Sequence, residues 1–366
     1  YIDSPYNTGN EGWVYNDNTN SPEIKAWLGK VVGKEAEDLS RHDKWLCMMY
    51  PRLKLLREFL REDGAIFISL DDNEIQSLRF IMDEIFGRQN FVATVIWQKV
   101  FSTKNSARHF SESHDFIVAY AKQALTWTPN LVARGDEQDA RYKNPDNDPR
   151  GPWTSGDCSA RNFYSEGTYS IACPSGRLID GPPAGMYWRF SKRKFEELNA
   201  DGRIWWGKDR NNVPRLKRFL SEVKRGLVPE TLWTHPEVGH TQEAKKELVS
   251  VMDFADSESV FITPKPTRLI ERVLQIASGP GDLVMDSFAG SGTTGHAVLK
   301  LNAAQPDQPP RRFILAEIDP KIARPVTAER VKRIALGYTN AKGETVAGLG
   351  GGFRYVQLGE PLFDAS

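Results

Sequence analysis

The sequence predicts an α/β protein built on a Rossmann-like sheet, and three observations carry the prediction. Strand and helix patterns alternate over residues 42–121 and again over 266–334. A glycine-rich turn, Asp286-Ser-Phe-Ala-Gly-Ser-Gly292, leaves the apolar stretch Asp282–Asp286 and opens a helix near Thr293. Between the alternating segments lies a stretch rich in Gly, Pro, Trp and Arg, too irregular for the sheet and too aromatic for disorder.

The elements follow in order. Tyr1 and Ile2 are the last apolar residues before Asp3, fewer than the roughly five or six of a buried strand, and the chain opens without Met. The expectation is an N-terminally truncated piece whose first strand is cut near its end. After a polar loop to about Arg41, Trp45, Met49, Leu53, Leu56 and Leu60 recur at three- and four-residue spacing, which predicts a helix over His42–Glu62 with a buried face. Pro51 is expected to kink or restart that helix, and Gly64 to end it. Ala65–Leu70 reads as a buried strand. Asp71-Asp72-Asn73 reads as the cap of a helix to about Phe86, followed by strands at Val92–Gln98 and Phe116–Ala121.

From Trp127 to about Asp256 the alternation fades, with loop signals at Asp146–Trp153 and Gly181-Pro-Pro and a helix expected only at Arg215–Lys224. Alternation resumes with the helix Pro266–Ser278, the strand Leu283–Asp286, the helix Thr293–Leu301, the strand Arg312–Glu317 and the helix Pro325–Ile334. Phe353–Leu358, after the glycines at 348–352, reads as an edge strand. The expected organisation is therefore 1–125, one half of the sheet domain; 126–256, a separate recognition region; 257–340, the other half; and 341–366, a tail.

Composition bounds the function. Hydrophobic residues make up 40% and charged residues 26% of 366, ordinary for a globular chain with a core. No apolar run approaches the ~20 residues of a membrane-spanning helix, and no signal peptide is expected. Cys47, Cys158 and Cys173 are far apart, forming neither a disulfide framework nor a zinc pattern, which suits a reducing cytoplasm. The pairs His109/His114 and His235/His240 lack partner cysteines, so no metal site is expected. Formal net charge is +0, yet from Lys192 to Arg225 eleven Lys/Arg face five Asp/Glu. Such a stretch serves phosphate contacts or is a solvated face.

Two motifs carry chemistry. Glycines in the turn after Asp286 let backbone pass close to a ligand, and the helix N-terminus offers free N–H groups; the same pattern also occurs in ordinary tight turns. At the start of the chain, Asp3-Ser4-Pro5-Tyr6 places a carboxylate, a backbone carbonyl, a rigid proline and an aromatic ring in four residues, a set able to hold a flat ring bearing an amine. Asp and Pro are also simply turn residues.

Together, Asp3–Tyr6 before Asp286–Thr294 resembles the beta-class amino DNA methyltransferases, in particular the stand-alone and type III restriction–modification (Mod subunit) adenine methyltransferases, in which the catalytic motif precedes the cofactor motif. The likeness runs from Tyr1 to about Asp364. It implies a circularly permuted Rossmann-like fold with an inserted target-recognition region, and S-adenosylmethionine as cofactor. Phe288, Ala289, Gly290, Ser291, Gly292 and Thr293 would lie against the cofactor, and Asp286 would meet its ammonium. Glu317, 25 residues beyond Gly292, would accept from ribose hydroxyls unless it is a surface carboxylate. Within Phe261-Ile-Thr-Pro-Lys-Pro-Thr-Arg-Leu-Ile270, Lys265 would meet the methionine carboxylate, or the segment merely starts a helix.

The resemblance also implies the reaction. Asp3 and the carbonyl of Ser4 would accept both N–H groups of the target amine, Pro5 would fix the turn and Tyr6 would stack on the base. Direct displacement follows, without a covalent intermediate, on a base flipped out of duplex DNA. Ser4 stands where the family usually has Pro, which loosens the turn. An Asp at the first position fits adenine N6 rather than cytosine N4. Lys104, Arg108, Arg161, Arg215, Lys217 and Arg218 are the candidate DNA contacts, against a reading as solvated surface charge; Trp153, Trp188, Trp205 and Trp206 read as core. Partners implied are double-stranded DNA and, left open, a restriction subunit and a second copy of the chain. The alternatives are a cytosine-N4 enzyme and a non-catalytic DNA-binding or specificity protein.

Overall fold

The computed structural model describes the chain except residues 9–40, 134–138, 224–225, 253, 255–262, 341 and 360–366. Gly9 beside the Asp3 motif, Phe261 and Ile262, and the basic pair Lys224 and Arg225 therefore lie outside the described residues. The chain forms two compact units, Tyr1–Asn130 with Val228–Ser366, and Leu131–Leu227 between them.

The first half of the first unit contains β1 (Ile2–Asp3), α1 (Arg41–Phe59), β2 (Ala65–Leu70), α2 (Ile75–Phe86), β3 (Phe91–Gln98) and β4 (His114–Ala121). α1 runs through Pro51 without a break, correcting the expected interruption. Pro51 is exposed, and Arg52 Nη1 donates to the Met48 carbonyl at 2.6 Å within that turn. α2 lacks the expected Asp cap, because Asp71 Oδ1 accepts instead from the Asn73 N–H at 3.0 Å, two residues short of the helix.

The inserted unit contains β5 (Trp153–Asp157), β6 (Ser159–Ala160), β7 (Ile171–Ala172), β8 (Leu178–Ile179), β9 (Tyr187–Trp188), α3 (Lys192–Ala200), β10 (Ile204–Trp205) and β11 (Arg215–Phe219). β11 is a strand where a helix was expected. Its residues pair antiparallel with β5 from Arg215↔Asp157 to Phe219↔Trp153. Cys158, Ile171, Cys173, Trp188, Phe195, Ile204 and Trp206 form its core. This unit is narrower than the expected region 126–256, since residues from Val228 onward belong to the first unit.

The first unit resumes with β12 (Leu232–Trp233), α4 (Thr241–Val251), α5 (Thr267–Ala277), β13 (Leu283–Asp286), α6 (Thr293–Ala303), β14 (Arg312–Leu315), α7 (Glu329–Leu336), β15 (Gly337–Thr339) and β16 (Thr345–Ala347). Phe353–Leu358 carries no strand, a further correction. The tail instead forms the β15–β16 hairpin, which pairs through its own backbone.

Five strands make a sheet in the order β1-β2-β4-β3-β12, with β1 parallel to β2, β4 antiparallel to both neighbours, and β12 parallel to β3. β13 and β14 pair in parallel, and the Tyr1 amino group donates to the Met285 carbonyl at 3.1 Å, bringing β1 beside β13. The period-two rule divides β2 cleanly. Ile66, Ile68 and Leu70 pack with Trp45, Met49 and Leu53 of α1 and Leu78 and Met82 of α2, whereas Phe67 packs with Leu269, Val273 and Ile276 of α5. Helices thus cover both faces, and the carboxyl ends of β1 and β13 carry Asp3 and Asp286.

Candidate methyl-transfer site

Both turns that the sequence singles out open into one cleft, lined by Tyr1, Asp3, Thr263, Pro264, Lys265, Asp286, Phe288, Ala289, Gly290, Ser291 and Thr293.

The turn after β13 is held from four sides. Asp286 Oδ1 accepts from the Phe288 N–H at 3.1 Å, and Thr294 Oγ1 donates to Asp286 Oδ2 at 2.5 Å. The Ala289 N–H donates to the Ala316 carbonyl at 3.0 Å, and the Gly290 N–H to Glu317 Oε2 at 2.9 Å. Gly292 sits at φ 77°, in the left-handed region, and a Cβ there would meet the Thr327 carbonyl at 2.9 Å, so both conformation and space demand glycine. Behind the turn, the fully buried Arg330 donates to Ser291 Oγ at 3.1 Å and Thr293 Oγ1 at 2.9 Å, and His296 Nδ1 lies 3.2 Å from its other nitrogen. Burial first, then the Arg330 charge, push His296 down to about 2, so its ring is neutral.

The turn after β1 is held differently. Ser4 is fully buried and its hydroxyl donates to the Ser69 carbonyl at 3.3 Å. Trp45 Nε1 donates to the Pro5 carbonyl at 2.7 Å. Asn7 takes φ 57°, a conformation Asn tolerates better than most residues, and donates from Nδ2 to Glu74 Oε1 at 2.5 Å. Tyr6 donates its hydroxyl to Asp115 Oδ2 at 3.3 Å, and Asp115 Oδ1 receives Lys99 Nζ at 2.6 Å. Asp3 Oδ2 receives Lys265 Nζ at 2.5 Å, and the same ammonium lies 5.0 Å from the centre of the Tyr6 ring. Asp3 Oδ1 is buried with no hydrogen-bond partner among the described residues.

Burial raises the pKa of Asp3, Asp286 and Glu317 from their ordinary values. At Asp3 the Lys265 charge opposes the shift, at Asp286 the Tyr1 amino group and Thr294 do, and at Glu317 the N–H groups of Asp319 and Gly290 do.

Asp3 and Lys265 thus share the cleft with Asp286 and Phe288–Thr293, and Glu317 is tied to the same turn through Gly290. Lys265, expected on the cofactor, is bonded to Asp3. Asp286, expected to meet a ligand ammonium, spends both oxygens on its own turn. The residues present fit S-adenosylmethionine: backbone of the glycine turn lines the cleft, and the carboxylates of Asp3 in the cleft and Glu317 on the turn suit a cationic amino acid bearing a ribose. Asp115, Trp45, Glu74 and Arg330 were not foreseen. Arg330 alone had a signal, an arginine beside Val331 on the apolar side of an amphipathic helix.

Of the candidate DNA contacts, Lys217 is corrected. It is 6% exposed and its ammonium is bonded to Asp146 and Asp148, two carboxylates it neutralises inside the inserted unit. Arg215 pairs with Asp157 at 3.0 Å on the surface. Lys104, Arg108, Arg161 and Arg218 are exposed and form no ion pair among the described residues. Trp153, Trp188 and Trp206 are buried, as expected, and Trp205 packs against Trp153 with ring centres 5.3 Å apart.

The DNA methylase family profile, N6_N4_Mtase, matches residues 1–329. The Mod subunit of the type III restriction-modification enzyme StyLTI from Salmonella typhimurium is 34% identical, over 90% of this chain and 50% of its own length. The EcoP15I Mod subunit of Escherichia coli is 32% identical, over 87% of this chain and 54% of its own. The type II methyltransferase M.KpnI of Klebsiella pneumoniae is 30% identical, over 88% of this chain and 76% of its own. The chain spans about half the length of the two Mod subunits. With both motifs lining one cleft and a profile covering most of its length, this chain belongs to the N6/N4 DNA methylase family.

Proposed function

We propose that the protein transfers a methyl group from S-adenosylmethionine to the N6 amine of adenine in duplex DNA, at a specific site. The observation that carries this reading is the meeting of Asp3 with Phe288–Thr293 in one cleft. S-adenosylmethionine, when bound, supplies an electrophilic methyl group on sulfur. The chain's part is positioning. The backbone of Phe288–Gly292 and the Glu317 carboxylate hold the cofactor. The unpartnered Oδ1 of Asp3 and the Ser4 carbonyl accept the two amine N–H groups, and Tyr6 stacks on the ring.

An amine conjugated to a ring is a weak nucleophile, because its lone pair is delocalised. Two acceptors localise that pair and aim it, so alignment supplies most of the rate. The base leaves the duplex to reach the cleft, at a cost of a few kcal/mol. Asp rather than Ser at position 3 favours adenine over cytosine. The inserted unit supplies recognition of the DNA site, with Arg161 and Arg218 as its candidate contacts and Lys104 and Arg108 as candidates from the first unit.

The type III relatives suggest a cytoplasmic Mod-like subunit that works with a restriction subunit. No helix among the described residues is long and apolar enough to cross a membrane. Mass spectrometry of nucleosides from duplex DNA incubated with the protein and S-adenosylmethionine tests the reading. N6-methyladenine is the expected product. N4-methylcytosine would move the assignment to the other amine, and DNA retention without any product would point to a non-catalytic binding protein.

A further inference from the structure

We propose that Lys265 is a positioning residue of the transfer site, which keeps the Asp3 carboxylate charged by holding Oδ2 and so leaves Oδ1 as the acceptor for the target amine. This rests on the reading of Asp3 as the amine acceptor, and it moves Lys265 from the cofactor to the catalytic carboxylate.

The argument starts from what the Asp3 carboxylate must do. Ionised, it offers the amine N–H a strong, charge-assisted acceptor; protonated, one of its oxygens becomes a donor and the other a weaker acceptor. Its surroundings work against ionisation. Its side chain is 15% exposed, and Asp115 and Asp286 are further negative charges facing it, whereas the Tyr6 hydroxyl beside it favours the charged form. Asp115 is already neutralised by Lys99 at 2.6 Å, and Asp286 is engaged by Thr294 and the Phe288 N–H. Lys265 is the cation placed on Asp3 itself, 2.5 Å from Oδ2.

Geometry makes that placement stable. Lys265 is 7% exposed and directly precedes Pro266, the cap of α5, so its backbone is fixed at a helix start. Its carbonyl accepts from Thr293 Oγ1 at 3.3 Å, tying the residue to the start of the cofactor-side helix. One residue is thus anchored to the glycine turn through its backbone and to the catalytic carboxylate through its side chain. The two carboxylate oxygens are thereby differentiated: Oδ2 carries the ion pair, and Oδ1, buried and without a partner among the described residues, remains to be satisfied. A buried acceptor with no partner is costly unless a ligand completes it, and an amine N–H does so.

The test is a carbon-13 NMR titration of protein labelled at the aspartate carboxyls, with the Asp3 signal assigned through Asp3→Asn. In Lys265→Met the Asp3 titration is expected to move up by about 1–3 pH units, the effect of losing an opposite charge at this distance. Lys265→Gln, which keeps a donor but no charge, is expected to show the same movement, and Lys265→Arg to restore the wild-type value. The acid limb of the methyl-transfer profile should shift upward with the titration, while calorimetric affinity for S-adenosylmethionine stays unchanged. An Asp3 titration that does not move in Lys265→Met and Lys265→Gln would overturn the proposal, as would an unshifted acid limb with weakened cofactor binding. The titration needs no turnover, so a wild-type protein that methylates no DNA refutes the function separately.

Discussion

Asp3 and Asp286 stand at the carboxyl ends of neighbouring strands and line the same cleft, but they are bound in opposite ways. Asp286 spends both oxygens on the turn that follows it, on the Phe288 N–H and the Thr294 hydroxyl. Asp3 gives one oxygen to a lysine 262 residues away in sequence and keeps the other unpartnered among the described residues. A carboxylate satisfied by its own loop is scaffold, and a buried one left half satisfied is available for chemistry. The same motif-level observation, an acidic residue ending a strand before a turn, therefore covers two different jobs.

The largest effect that sharpens this contrast is on stability. Asp286→Ala strands two donors beneath the cleft and should cost about 2–4 kcal/mol in chemical denaturation. Asp3→Asn, whose amide still offers Lys265 an oxygen, should leave the midpoint nearly unchanged. Equal losses would erase the distinction. Next in size is Gly292→Ala, expected to cost at least about 1–2 kcal/mol for the left-handed backbone alone and to weaken cofactor binding, because its Cβ meets the Thr327 carbonyl. Gly343→Ala, equally left-handed at φ 81° but in open space, separates strain from crowding.

His296, behind the Asp286 turn, sets a pH dependence. Its folded pKa of about 2 lies below the ordinary 6.5, so the unfolded chain takes up a proton that the folded one refuses. Its contribution is fully present above pH 6.5 and is lost as pH falls toward the folded value, at about 1.4 kcal/mol per pH unit. Asp3, Asp286 and Glu317, with raised pKa values, act in the opposite sense. The difference between wild type and His296→Gln isolates the histidine: the variant should lose less stability between pH 6.5 and 4.5, and identical slopes would refute a buried neutral ring. The smallest effect concerns β11. Arg218→Ala should leave stability unchanged and reduce the salt dependence of DNA binding by about one unit of slope. A loss of stability there would make Arg218 structural, as Lys217 is.

Much of the first unit was legible because its elements announce themselves locally. Leu283–Asp286, Ala65–Leu70 and the glycine turn are set by apolar runs and by a backbone conformation that only glycine takes easily. What stayed illegible was long-range pairing. β11 reads as charged and helical because the partners that bury Lys217, Asp146 and Asp148, lie about 70 residues earlier in the chain. The ion pair between Lys265 and Asp3 is hidden in the same way. Phe353–Leu358 has strand composition, yet composition cannot supply the neighbouring backbone that a strand requires.

The measurement that tests the central claim most directly is transfer of tritium from labelled S-adenosylmethionine to duplex DNA by wild type and Asp3→Asn, with cofactor affinity followed by calorimetry. If the two turns form one methyl-transfer site, Asp3→Asn binds the cofactor as wild type does and transfers on the order of 10²–10³-fold more slowly, the loss of a preorganised hydrogen-bond partner. Equal transfer by the two proteins would contradict it.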